Sequence, residues 1–226
     1  MDTIRSARIA HLFFLIVVAV ELLCQIFGWG GTHLVVKPLL LMFLAMYYAL
    51  AARPRNRSFL TALFFCWVGD VSLLFEAYNA VYFISGLAAF LMAHVLFITS
   101  YRQLRHVAVV PVGTAEARLS FPVILIGAGL VVVLLPHLGA LQIPVMAYAL
   151  VLTLMLLQTV FRYHRTTTGS FWLIFGGAVS FMISDALLAL NKFYVPMPHA
   201  GLWIMTTYLV AVYSIVRGAL LHPPTR

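Results

Sequence analysis

Apolar stretches long enough to cross a lipid bilayer recur eight times along this chain, and that recurrence leaves it few folds. A hydrocarbon core of about 30 Å calls for a helix of about 20 apolar residues. Stretches at approximately 9–27, 34–51, 59–76, 80–101, 119–135, 141–160, 170–190 and 200–221 meet that requirement. With 64% hydrophobic and only 9% charged residues, and a mean hydropathy of +1.05, the composition falls outside the range of soluble domains. The connections are mostly too short to hold anything folded. Residues 1–226 are therefore expected to form a single all-α, polytopic transmembrane domain of eight helices. The first stretch follows Arg5 and Arg8 as a secretory signal would, but its length, Glu21 and the lack of a small-residue cleavage site identify a retained helix.

The basic residues set an orientation. Assigned to alternate ends of the helices, Arg5, Arg8, Arg53, Arg55, Arg57, Arg102, Arg105, Arg118, Arg162, Arg165, Arg217 and Arg226 gather on one side, with only Lys37 and Lys192 on the other. Excess arginine and lysine mark the cytoplasmic face, so both termini are expected there, and a bacterial inner (plasma) membrane is the simplest host. The formal charge of +8 does not point to nucleic acid, because the arginines sit in short loops where the topology rule and anionic headgroups account for them. Cys24 and Cys66 fall inside spans without CxxC spacing, and are expected to pack as small apolar side chains.

Against this background the buried charges stand out. Asp70, in Gly69-Asp70-Val71-Ser72, and Asp185, in Ser184-Asp185-Ala186-Leu187, lie within apolar spans. A carboxylate there costs several kcal/mol unless it is neutral, paired or facing water, so an intramembrane acid marks a candidate site. Glu21 and Lys37 join them in the non-cytoplasmic half of the bilayer. Glu76, Asn191 and Lys192, with Tyr82 and Tyr194, extend the polar trend to the outer mouth. A polar cavity opening outward would satisfy this set. Two readings of the lysines stay open. Lys37 pairs with Glu21 or Asp70 while Lys192 snorkels, or the two form an anion site.

Sliding the chain on itself by 115 residues superposes Asp70 on Asp185, Leu73 on Leu188, Gly86-Leu87 on Gly201-Leu202 and Arg102 on Arg217 without a gap. This suggests two parallel four-helix repeats, halves 1–115 and 116–226, with the aspartates at equivalent depth across a pseudo-twofold axis. His94 on the fourth span is a further candidate, able to orient a carboxylate or simply to pack. His33, His137 and His199 fall at outer span ends or loops, and His11, His106, His164 and His222 at inner ones. No HExxH or His-Cys constellation, GxSxG elbow, Walker loop or GxGxxG appears, so neither metal nor cofactor is expected. Gly127, Gly129, Gly176 and Gly177 are expected to be close-packing positions between helices.

Taken in order, Gly69-Asp70 with Leu73-Leu74, Phe83, Gly86-Leu87, Phe90 and Ala93-His94 resemble the signature of the YhhN-like lysoplasmalogenases, eight-span membrane hydrolases. Lys37-Pro38, Ser184-Asp185 with Leu188-Ala189, Asn191, Phe193 and Tyr208 are similar as well, so the resemblance covers essentially the whole chain. It implies hydrolysis of the vinyl ether bond of a lysoplasmalogen, giving a fatty aldehyde and glycerophosphoethanolamine or glycerophosphocholine. The partners expected are a lysophospholipid and the surrounding membrane lipids.

Vinyl ethers break down by protonation at carbon. The chemistry needs one carboxyl that supplies a proton and one carboxylate that stabilises positive charge and deprotonates water, a division analogous to that in glycoside hydrolysis. Asp70 and Asp185 are the candidate pair, with either order of roles open. Lys37 or Lys192 would bind phosphate, His94 or Tyr208 would orient the pair, and Glu21 and Asn191 would support the site. A second reading is a small proton-coupled transporter or lipid scramblase, for which intramembrane carboxylates and parallel repeats are equally expected. A third is a non-catalytic assembly or sensor protein, which leaves two buried aspartates without a reason.

Overall fold

The computed structural model of the protein describes residues 2–105 and 113–223, so that His106 and Arg226 lie outside it. Among the described residues every regular element is helical. In order these are α1 (Asp2–Phe27), α2 (Gly30–Ala51), α3 (Arg57–Leu74), α4 (Ala80–Gln103), α5 (Thr114–Leu134), α6 (Gln142–Val160), α7 (Thr168–Ala189) and α8 (Ala200–Leu220). All eight are long and apolar enough to cross a membrane, as expected of an integral multi-pass protein. Side chains such as Phe121, Val132 and Ile143 stay exposed, the surface that lipid chains rather than water would cover. The helices overrun most of the apolar stretches, because polar residues at their ends continue the hydrogen-bond ladder past the bilayer core. The seventh continues into a π-helical turn, Leu190–Tyr194.

The chain divides into two compact units, Met1–Ser100 and Tyr101–Arg226. In the first, α1 and α2 form an antiparallel hairpin. His11 stacks on Tyr47 with ring centroids 4.7 Å apart, and Phe13 on Phe43 at 5.4 Å. Gly28 turns between them at φ 69°, a left-handed conformation that suits a residue without Cβ. The buried stripe of α2 runs Val36, Lys37, Leu40, Leu41, Leu44, Tyr47 and Tyr48, the three-and-four spacing of one helix face. Asn56 caps α3 by accepting from the Phe59 amide at 3.0 Å. Cys24 and Cys66 are buried and form no disulfide.

In the second unit α7 and α8 pack closely. A Cβ on Gly177 would lie 2.9 Å from the Ala211 carbonyl, and one on Gly218 would lie 3.0 Å from the Ile174 amide nitrogen. Small residues here let two backbones meet. The four glycines expected to pack divide evenly. Gly177 faces α8 and Gly127 faces Thr153 of α6, whereas Gly176 and Gly129 open onto space. Each residue turns the helix by about 100°, so Gly176 and Gly177 diverge by about 100° and Gly127 and Gly129 by about 200°, and one of each set looks away from the seam.

Arg162 departs from the loop arginines. Rather than reaching headgroups it is fully buried, donating from Nε to the Leu104 carbonyl (3.0 Å) and from its terminal nitrogens to the carbonyl (3.4 Å) and Oγ (2.8 Å) of Ser170. Ser170 Oγ donates in turn to the Gly218 carbonyl at 2.7 Å. Burial pulls the guanidinium down to about 10, with Tyr101 acting in the opposite direction. It stays a cation at neutral pH and ties the ends of α4, α7 and α8 together.

Candidate functional site

Pro38 has no amide hydrogen, so α2 lacks one rung of its ladder there. The Pro38 carbonyl is taken by Trp67 of α3, whose Nε1 donates to it at 3.0 Å. Trp67 and Asp70 are three residues apart and share a helix face. This bond brings the Asp70 turn of α3 to the level of Lys37-Pro38. Asp70 is 3% exposed. The glycine before it serves α4: a Cβ on Gly69 would lie 2.6 Å from the Phe90 ring, and one on Gly86 would lie 2.9 Å from the Leu73 side chain. The two glycines seat α3 against α4 like a pair of notches, and the motif they belong to is therefore a packing device around Asp70. His94, one turn beyond Phe90 on α4, is fully buried.

The charged residues of α1 and α2 pair differently from the expectation. Glu21 is fully buried, and its Oε1 meets His33 Nδ1 at 2.7 Å and accepts from Gln25 Nε2 at 2.9 Å. Its side-chain partners are His33 and Gln25, not Lys37. The hairpin register explains this, since His33 stands opposite Glu21 while Lys37 lies one turn further into α2. Lys37 is 9% exposed and makes no hydrogen bond or ion pair with another described residue. The proposed pairing of Lys37 with Glu21 or Asp70 is thus not found among the described residues.

The second unit holds Asp185 by a contact the sequence reading missed. Tyr148 of α6 donates its hydroxyl to Asp185 Oδ2 at 2.6 Å, a short hydrogen bond. A tyrosine well inside an apolar span was the available signal, because its hydroxyl must find a partner. Ser184 Oγ donates to the Ile204 carbonyl of α8 at 3.0 Å, fixing the rotation of α7 at Asp185. Tyr208, one turn beyond Ile204, is buried and meets Phe181 edge to face at 5.5 Å. Asn191 lies in the π-helical turn and its Oδ1 accepts from the Met197 amide at 2.8 Å, which anchors the connection to α8. Lys192 in the same turn is exposed. A groove of about 660 Å³ between α5 and α6, lined by Ile124, Gly127, Val131, Ile143, Met146 and Leu150 among others, is almost wholly apolar.

Known proteins are similar to this chain in sequence. Lysoplasmalogenase TMEM86B of Homo sapiens is 33% identical over 157 residues, 69% of this chain and 60% of the human protein. TMEM86B of Sus scrofa is 36% identical over 146 residues, 64% of this chain and 55% of its own length. Lysoplasmalogenase TMEM86A of Homo sapiens is 30% identical over 182 residues, 76% and 68% of the two chains. The match thus spans rather more than half the length of the TMEM86B relatives. No solved structure matches. Residues 32–219, which carry Lys37, Asp70, His94, Asp185, Asn191 and Tyr208, match the YhhN family from the second span to the eighth, and the chain belongs to that family.

Proposed function

We propose that the protein is a membrane lysoplasmalogenase that hydrolyses the vinyl ether bond of an alkenyl lysophospholipid, with Asp70 and Asp185 as its acid and base. One carboxyl delivers a proton to the β-carbon of the vinyl ether, leaving an oxocarbenium ion at the carbon bonded to oxygen. The other, as carboxylate, stabilises that charge and takes a proton from the water that adds to it. The hemiacetal then collapses. Its hydroxyl proton returns to the first carboxylate, the second carboxyl protonates the departing glycerol oxygen, and fatty aldehyde and glycerophospho-alcohol leave with both aspartates reset.

The observation that carries this reading is a carboxyl buried to 3% exposure in an apolar span and held level with Lys37, a cation with no partner among the described residues. The names of the relatives point the same way. Lys37 would take the phosphate, and His94 and Tyr208 would orient the acids. We place both termini and the arginine-rich helix ends at the cytoplasmic face, with the headgroup entering from the other side.

The purified protein, incubated with a 1-alkenyl lysolipid and its 1-acyl counterpart, should release aldehyde from the first and leave the second intact. Asp70→Asn and Asp185→Asn should each lower the rate by about 10² or more, the scale of a lost general acid or base. Full activity in either variant would remove that residue from the mechanism.

A further inference from the structure

Glu21 has no task in the chemistry above, and it lies upstream of residues 32–219 that match the family. It is nonetheless a fully buried carboxylate with half its hydrogen-bonding capacity unused. Oε1 is occupied by His33 and Gln25, while Oε2 is buried and has no hydrogen-bond partner among the described residues. Leaving such an oxygen unsatisfied costs about 1–3 kcal/mol, and more when it is charged. A structural ion pair between α1 and α2 would need only the oxygen that His33 already holds.

The same hairpin carries a second unfilled charge. Lys37 is nine-tenths buried and has no described partner. His33 and Lys37 are four residues apart and share a face of α2. The register of the hairpin, with His11 on Tyr47, Phe13 on Phe43 and His33 on Glu21, sets Lys37 about 6 Å deeper along the axis than Glu21. The two opposite charges form no ion pair with each other. They stand in the order in which a lysolipid entering from this end presents its own, phosphate deeper and amine nearer the interface. The two-carbon ethanolamine bridge covers about one helical turn. His33, with 23% of its side chain exposed, and the half-buried Gln25 line the way from the surface to Glu21.

We propose that the α1–α2 seam is the headgroup subsite, in which Lys37 takes the phosphate and Glu21 Oε2 accepts a hydrogen bond from the primary ammonium of an ethanolamine lysolipid. The proposal rests on the lysolipid reading above and adds a specificity to it. A primary ammonium has N–H donors for Oε2 and a trimethylammonium has none, so the site discriminates ethanolamine from choline.

The test compares kcat/KM for three alkenyl lysolipids of one chain length, bearing phosphoethanolamine, phosphocholine or bare phosphate, on the full-length protein. Ratios between substrates within one preparation do not depend on how much of a variant folds. Wild type should favour ethanolamine over choline, and Glu21→Gln should lower the ethanolamine to bare-phosphate ratio about tenfold, the loss of one charge-assisted hydrogen bond. Lys37→Gln should weaken all three substrates. Equal use of ethanolamine and choline by the wild type, or an unchanged ratio in Glu21→Gln, overturns the subsite while leaving the hydrolase reading intact. If the wild type cleaves none of the three, the hydrolase reading fails, and the subsite is judged by calorimetric binding of glycerophosphoethanolamine against glycerophosphocholine. A preference for the first that Glu21→Gln abolishes supports it, and no preference overturns it.

Discussion

A charged side chain inside an apolar stretch is conspicuous because lipid offers it nothing, and that is why Asp70, Asp185, Glu21 and Lys37 were legible as candidates from the sequence. Their partners were not, since a partner depends on how two helices are rotated and staggered. The stagger of α1 on α2 gave Glu21 to His33, and the facing of α6 and α7 gave Asp185 to Tyr148. The Tyr148 bond supports a prediction. Tyr148→Phe keeps the ring and removes only the hydroxyl that holds Asp185 Oδ2. A lost hydrogen bond to a charged group is worth about 1.5–3 kcal/mol, so kcat should fall about 10- to 100-fold with KM little changed. Unaltered helix content by circular dichroism would show that the fold survives. A kcat equal to that of the wild type would relieve Tyr148 of any role in positioning Asp185.

The position of the helices along the chain could be read from apolar length alone, because a segment in lipid must satisfy its own backbone and so has little choice of structure. What sequence left hidden was the facing of each helix. Gly176 and Gly177 are equivalent as letters, yet only Gly177 seats α8, where a Cβ would strike the Ala211 carbonyl at 2.9 Å and the Ile215 amide nitrogen at 3.0 Å. Backbone atoms cannot swing aside as a side chain can, so Gly177→Ala must part the two helices. An overpacked seam of this kind costs about 1–3 kcal/mol, and the variant should unfold at a lower temperature in detergent. Gly176→Ala meets nothing within 4 Å and should lose no stability. Equal Tm values for the two variants would show that the α7–α8 seam yields more easily than its geometry implies. Arg162 makes the same point about hidden facing: its loop position resembled that of the other arginines, and only the fold shows it clamping Leu104 and Ser170.

Each compact unit supplies one aspartate, Asp70 from Met1–Ser100 and Asp185 from Tyr101–Arg226. The surroundings of neither aspartate tell whether the two act in one reaction, which is a question for energetics. If the aspartates act as one acid and base pair, removing either disables the same proton cycle, and removing the second then takes away little more. Groups that work as a unit are strongly non-additive in this way, whereas independent groups multiply their effects. Asp70→Asn and Asp185→Asn should each cost about 10² or more in kcat, and the double variant should be no slower than the slower single one within about threefold. A double variant whose loss equals the product of the two single losses would mean that the two carboxyls serve separate steps, and the paired acid and base mechanism would have to be abandoned. The measurement needs only aldehyde release by three variants under one set of conditions.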